Sequence, residues 1–278
     1  MRIDAHQHFW KIERGDYGWL TPDLATIYKD FLPQDLDPLL KSHGIEGTVL
    51  VQAAPTVAET EFMLSLAETV RFIKGVVGWV DFESDTAAAE IARLASNPAL
   101  VGLRPMIQDI DDVNWMLGDT LTPVFDALKA ADLTFDALTL PPHLGNLRKL
   151  LEKHSDMRTV IDHASKPLIA AGDIKSWAED MSGLAEQSDA YCKLSGMVTE
   201  AGADWTVEAL KPYVDHLLDS FGPDRLIWGS DWPVCTLAAT YDQWVDATDQ
   251  LLNSLSPSER DAVLGGNALK AYKLVNMT

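Results

Sequence analysis

The chain has 278 residues, 47% of them hydrophobic, and a formal net charge of −20. That much apolar material supports a full core, and the acidity repels phosphate backbones and anionic bilayers, so neither nucleic acid nor membrane is an expected partner. The two cysteines, Cys192 and Cys235, form no Cys-x-x-Cys pair, no apolar run nears the ~20 residues of a membrane helix, and no basic-then-apolar leader opens the chain, so a cytoplasmic protein with reduced cysteines is expected.

The first strand-like run covers residues 2–9 and contains Ile3-Asp4-Ala5-His6-Gln7-His8-Phe9. Side chains alternate along a strand, so His6 and His8 share one face and Gln7 takes the other. Residues 10–32 then read as a long aromatic loop carrying Trp10, Tyr17 and Trp19. Loops of that length are often functional, and a lid or cavity wall is the expected use. Pro33 suits a helix start, and residues 33–43 read as a helix stopped by Gly44. A second strand at 47–54 ends at Pro55, and residues 57–71 place Phe62, Leu66 and Val70 at helical spacing. The third strand, 73–81, precedes a helix at 85–96. The fourth, 100–107, precedes one or two short helices within 111–131, broken near Gly118. The fifth, 133–140, is stopped by Pro141-Pro142 before a helix at 144–154. The sixth, 158–163, and seventh, 190–197, are followed by helices at 173–187 and 206–221. The eighth, 225–231, leads into helices around 240–254, 257–264 and 267–274.

These runs are continuously apolar, as strands covered on both faces should be, and strict alternation with helices predicts a parallel sheet. Eight such units in this length predict an α/β fold of the (β/α)8 TIM-barrel type, one domain spanning 1–278. An open doubly wound sheet usually begins with a glycine-rich turn, but here that position holds His6-Gln7-His8-Phe9-Trp10. Barrel enzymes carry their chemistry at the C-terminal strand ends. Those ends supply His6 and His8, Gln52, Trp79 and Asp81, Arg104, Asp162 and His163, Lys193 and Ser195, then Ser230, Asp231 and Trp232. Ionisable groups in apolar strands are costly unless paired or placed in a site, so three histidines and an aspartate at one barrel mouth predict an active site.

His6-Gln7-His8, Asp162-His163-Ala164-Ser165-Lys166-Pro167 and Gly229-Ser230-Asp231-Trp232-Pro233 resemble the amidohydrolase superfamily. Together with Gly102-Leu103-Arg104 and Cys192-Lys193-Leu194-Ser195-Gly196, they are most similar to its lactonase branch, which holds fuconolactonase-like sugar lactonases and pyrone-dicarboxylate and muconolactone types. The resemblance implies hydrolysis of a small-molecule lactone, such as L-fuconolactone or L-rhamnonolactone, with a place in carbohydrate catabolism. Asp231 would be the general base, with His6, His8 and His163 around the carbonyl oxygen. Arg104 is the candidate anion clamp. Trp10, Tyr17, Trp19, Gln52 and Trp232 are candidate substrate contacts. The metal-rich members bring a lysine from the fourth strand and a histidine from the fifth. Neither is present, so at most one divalent ion is expected, zinc by ligand chemistry, on His6, His8 and Asp231. Similar lactonases work in some cases without tightly bound metal. A muconolactone or pyrone-carboxylate lactonase, a metal-dependent amidohydrolase or decarboxylase, and a non-catalytic ligand-binding barrel are the competing readings. A dicarboxylated lactone would call for two or three arginines, and Arg104 is the one this mouth offers, with Lys166 and Lys193 as weaker substitutes. Assembly into a homo-oligomer is left open.

Overall fold

The computed structural model describes residues 1–274; residues 275–278 of the expected domain lie outside the described residues. Eight parallel strands follow one another in chain order: β1 (Ile3–Gln7), β2 (Gly47–Val51), β3 (Ile73–Gly78), β4 (Leu100–Leu103), β5 (Thr134–Ala137), β6 (Thr159–Ile161), β7 (Tyr191–Leu194) and β8 (Leu226–Trp228). The barrel is closed across β8 and β1 just beyond the regular ladders. The Asp231 N–H donates to His6 O at 2.7 Å, the His8 N–H donates to Trp232 O at 2.8 Å, and Gln7 bridges Trp232. The chain is therefore a (β/α)8 barrel, with His6, His8 and Asp231 on its closing seam.

The helices α1 (Pro33–Ser42), α2 (Val57–Ala67), α3 (Ala87–Leu94), α4 (Thr122–Ala130), α5 (Leu144–Lys153) and α6 (Lys175–Gln187) each lead into the next strand. A short α7 (Met197–Ala201) and α8 (Val207–Phe221) separate β7 from β8, and α9 (Tyr241–Leu251), α10 (Pro257–Asp261) and α11 (Asn267–Ala271) finish the described chain. Local chemistry sets several starts. Pro33 occupies the first turn of α1, while Thr56 and Thr206 accept from the backbone N–H of Glu59 and Ala209 to cap α2 and α8.

Every strand is shorter than its apolar run. The residues just past each ladder leave the sheet to form the loops that carry the site, as with Arg104 after β4 and His163 after β6. Among the elements not expected are α7, a π-helical turn at Ala262–Gly266 between α10 and α11, and short 3-10 turns in the loops, such as Ile12–Arg14 and Val234–Leu237. The interior is filled in two parts. At the N-terminal end, Ile3, Val49, Val77, Val160 and Ile227 pack against Ala268, Ala271, Tyr272 and Leu274, so the final segment closes the barrel from below. The outer helices pack on the strands through the main cluster, which includes Leu40, Met63, Ile91, Phe125, Leu147, Trp177, Leu217 and Trp244. No described helix is long and apolar enough to cross a membrane.

Candidate active site

The Asp231 carboxylate is the centre of the C-terminal mouth. Its backbone has φ +58°, a left-handed conformation that aspartate tolerates better than most residues. Oδ1 lies 3.2 Å from His8 Nε2, 3.7 Å from His6 Nε2 and 4.0 Å from His163 Nε2. Burial opposes a charge at Asp231, but His163, the His8 contact and His6 outweigh it and hold the carboxyl well below the usual carboxylate range. Asp231 is therefore ionised at neutral pH.

Each ring is held from behind. His8 Nδ1 donates to Val51 O at 2.7 Å, which directs Nε2 at Asp231, and Trp10 stacks against the ring with centroids 6.4 Å apart. His163 Nδ1 meets Ser195 Oγ at 2.9 Å. Burial pulls the His163 pKa down to about 4. His6 is fully buried, and burial together with the Lys193 ammonium holds its pKa well below the ordinary value. His163, Ala164, Ser165 and Lys166 all have φ between +50° and +56°. A left-handed run costs roughly 1–2 kcal/mol per residue, and strain of this kind gathers at functional sites. Gly196 makes the turn possible. Its φ is +67°, and a Cβ there would lie 2.8 Å from His163 Nδ1.

Beneath the rings lies a buried set of charges. Lys193 Nζ is 2.7 Å from Asp136 Oδ2, 2.9 Å from Asp162 Oδ1 and 3.1 Å from His6 Nδ1. Arg104 Nη1 donates to Asp162 Oδ2 at 3.2 Å and stands 3.3 Å from His6 Nε2, while Nη2 donates to Gln52 O. Burial favours a neutral Asp162, yet Lys193, His6 and Arg104 reverse the balance and hold it well below the carboxylate range. Burial dominates at Asp136 and raises it to about 6.

A cavity of about 220 Å³ opens above this floor. His8, His163 and Asp231 reach it from below, Trp19, Arg104 and Lys166 stand in its walls, and Met106, Gln108, Asp109, Leu138 and Val234 complete it. The volume suits a small monocyclic ligand rather than an extended one.

Of the expected site residues, the structure brings Asp231, His6, His8 and His163 together. It places Trp19 in the cavity wall, where Nε1 donates to Ala53 O at 2.7 Å. Trp10, Tyr17 and Trp232 do not line the cavity. Trp10 is buried behind His8, with its Nε1 donating to Lys29 O at 2.8 Å, Tyr17 packs on Trp10, and Trp232 sits between Phe9 and Phe31. Gln52 lies under the site, its Nε2 donating to Arg104 O at 2.8 Å. Arg104 reaches the cavity, but its Nη groups are already engaged by protein partners. Gln108 and Asp109 were missed because they lie just beyond the expected fourth strand, and Met106, inside it, because it carries no polar signal. Asp136 was missed although an aspartate inside an apolar strand is itself a signal. Tyr272, whose hydroxyl donates to Asp136 Oδ2 at 2.7 Å, and Glu59, which accepts from the Ala53 and Ala54 N–H groups behind the cavity wall, carried no such signal, since both fall in helical sequence.

The donors present suit a divalent cation. His6, His163 and Asp231 each offer a ligand atom, all within 4.8 Å of one another. The expected trio was His6, His8 and Asp231, and His163 takes the place of His8 in this grouping. His8 still faces Asp231 with Nε2 at 3.2 Å while Nδ1 donates elsewhere, an arrangement that a second proton on the ring or a cation between the two groups would satisfy.

An amidohydrolase family model matches residues 3–274. An L-fucono-1,5-lactonase of Burkholderia ambifaria is 46% identical, covering 98% of this chain and 96% of that protein. A second L-fucono-1,5-lactonase, from Burkholderia multivorans, is 35% identical over 99% of this chain and 96% of its own length. The crystal structure of an amidohydrolase from Burkholderia multivorans with bound zinc superposes with a TM-score of 0.94 at 34% identity, covering 99% of this chain and 100% of that one. The chain belongs to the amidohydrolase family.

Proposed function

We propose that the protein is a lactonase that opens a sugar-acid lactone by hydrolysis, with L-fucono-1,5-lactone as its first candidate substrate. The observation that carries this reading is the Asp231 carboxylate, ionised and ringed by three imidazoles at the floor of a small cavity. The substrate class follows from similarity to two L-fucono-1,5-lactonases. Trp19 offers an aromatic face to a sugar ring, and Asp109, Gln108 and Lys166 supply polar walls for its hydroxyls. A dicarboxylated lactone would find a poor site here, because Arg104 is already paired with Asp162 and Gln52.

The chemistry follows from the geometry. A water beside Asp231 attacks the lactone carbonyl as the carboxylate takes its proton. The carbonyl oxygen becomes an oxyanion, stabilised by N–H donors of the histidine cluster; one such donor is typically worth about 3 kcal/mol of barrier. The tetrahedral adduct collapses by breaking the bond to the ring oxygen, which leaves as an alkoxide and receives the proton Asp231 had taken. The products are a hydroxy-acid carboxylate and a net proton. A carboxyl held so low in pKa is always ionised but is a weak base. That is sufficient for a lactone, whose ester carbonyl is far more reactive than an amide. His6, His163 and Asp231 would hold a divalent ion here, which would supply polarisation of the carbonyl and a more acidic water.

The test is a panel of aldono-1,4- and 1,5-lactones, with muconolactone-type esters as controls, read by a pH indicator with and without a chelator. Turnover of L-fucono-1,5-lactone or a close relative supports the reading. Hydrolysis confined to the carboxylated esters, or none across the panel, overturns it.

A further inference from the structure

Glu59 is a fully buried carboxylate in the first turn of α2 and has no part in the chemistry above. Its Oε2 accepts from two consecutive backbone N–H groups, Ala53 N at 3.0 Å and Ala54 N at 2.7 Å. Both alanines are buried. They lie in the turn past β2, after the bond in which Gln52 N donates to Val77 O at 2.9 Å. A buried backbone donor is costly to leave unpaired, so Glu59 is what satisfies the chain as it leaves the sheet. In a planar trans peptide the N–H and C=O point opposite ways, and the peptide bonds of this turn are trans. The plane that gives the Ala54 N–H to Glu59 presents Ala53 O on its other side, where Trp19 Nε1 donates at 2.7 Å. The preceding plane gives the Ala53 N–H to Glu59 and presents Gln52 O to Arg104 Nη2. One carboxylate therefore orients two carbonyls, and each carbonyl holds a side chain of the cavity wall. The two side chains do not depend on it equally. Arg104 has a second anchor in Asp162 Oδ2 at 3.2 Å. Trp19 is 37% exposed, and its single N–H is given to Ala53 O.

We infer that Glu59 is a positioning residue that sets the Trp19 wall of the cavity through the Ala53–Ala54 peptide plane, and so governs how tightly the lactone is held. The inference deepens the lactonase reading and rests on it for the ligand. The brace itself is a property of the free protein. What it requires is an acceptor oxygen rather than a charge, because Oε2 receives both N–H groups. A neutral carboxyl or an amide keeps an oxygen at that place.

The experiment is a fluorine NMR spectrum of the full chain labelled with fluorotryptophan, beside steady-state kinetics on L-fucono-1,5-lactone. The Trp19 resonance is the one that Trp19→Ala lacks. Glu59→Met, which removes both acceptor oxygens, should move that resonance and raise KM about 3- to 5-fold with kcat within about 2-fold, part of the binding that Trp19 supplies. Glu59→Gln, which keeps an oxygen, should stay near native in both readouts. Placed in Trp19→Ala, the Glu59→Met change should add less than about 2-fold to KM, since residues that act through one another are not additive. A Trp19 resonance unmoved by Glu59→Met, an unchanged KM although Tm falls, or KM increases that multiply in the double variant overturns the inference. If Glu59→Met does not fold, Glu59→Asp, whose carboxylate stops about 1.5 Å short of the turn, replaces it in every measurement. A Trp19 resonance that moves as expected in a protein with no lactone turnover would refute the proposed function and leave the brace standing.

Discussion

Gly196→Ala tests how the site is built without touching a reacting group. The backbone there has φ +67°, and a Cβ would meet His163 Nδ1 at 2.8 Å, Cγ at 3.0 Å and Cβ at 3.2 Å. The left-handed conformation costs an L residue ~1–2 kcal/mol. Carbon contacts are comfortable near 3.5 Å, so the ring must retreat by on the order of half an ångström. That movement strains or breaks the 2.9 Å hydrogen bond between His163 Nδ1 and Ser195 Oγ, which adds about 1 kcal/mol. The sum is about 2–3 kcal/mol, or about 4–8 °C in Tm for a chain of this size. A reacting group misplaced by 1 Å loses ~100-fold in rate, so kcat should fall about 10-fold. Gly172→Ala is the control, with the same left-handed backbone (φ +66°) and nothing within 4 Å of the added carbon. It should show the backbone cost alone, with kcat intact. Thermal unfolding and steady-state kinetics on both variants decide the matter. If they match in Tm and kcat, His163 is not held by the bare turn at Gly196.

Three further outcomes follow from the geometry. Trp19→Ala removes one cavity wall and the bond to Ala53 O; KM should rise about 5- to 10-fold with kcat little changed, as expected when binding common to ground and transition states is lost, and an unchanged KM would remove Trp19 from substrate contact. Arg104→Met leaves Asp162 with Lys193 as its remaining cation and should cost ~3–5 kcal/mol of stability in denaturant titrations, whereas a large rise in KM at full stability would restore its role as an anion clamp. Burial raises the Glu59 pKa to about 7 and the Asp4 pKa to about 6. Both folded values exceed the ordinary ones, so their contribution to stability is present below about pH 4.5 and is lost as pH rises through 6 and 7. The depressed His6 and His163 pull the stability profile the other way, so the readout is the difference between proteins: on going from pH 5.5 to pH 8, Glu59→Gln should lose less stability than the native chain, and an equal change in the variant would contradict the burial argument.

The barrel was legible because a parallel strand buried on both faces leaves an apolar run, and β2, β4 and β8 carry no charged residue at all. Asp231, His6, His8 and His163 were legible for a related reason: polar residues at the end of an apolar run have few other uses. Their supports were harder to read. Tyr272 reaches Asp136 across 136 positions of sequence, and no local pattern announces that a tyrosine in a terminal helix will enter the barrel floor. The aromatic loop shows the opposite failure. Trp10, Tyr17 and Trp19 look alike in sequence, yet only Trp19 faces the cavity, because the Trp10–Phe31 backbone bridge folds the loop onto itself and carries Trp10 behind His8. Arg104 was read by its charge alone, and its guanidinium is occupied by backbone and carboxylate groups that become neighbours only once β2, β4 and β6 are assembled.

Asp231 is the group on which the proposed hydrolysis depends most directly. Hydrolysis of L-fucono-1,5-lactone by the native protein and by Asp231→Asn, with folding of both checked by circular dichroism and thermal unfolding, measures its role directly. Loss of a general base typically costs ~10²–10⁴ in rate, so the variant should be folded, bind the lactone and turn over at under about 1% of the native kcat. A folded Asp231→Asn protein that hydrolyses the lactone at near-native rate would contradict the mechanism.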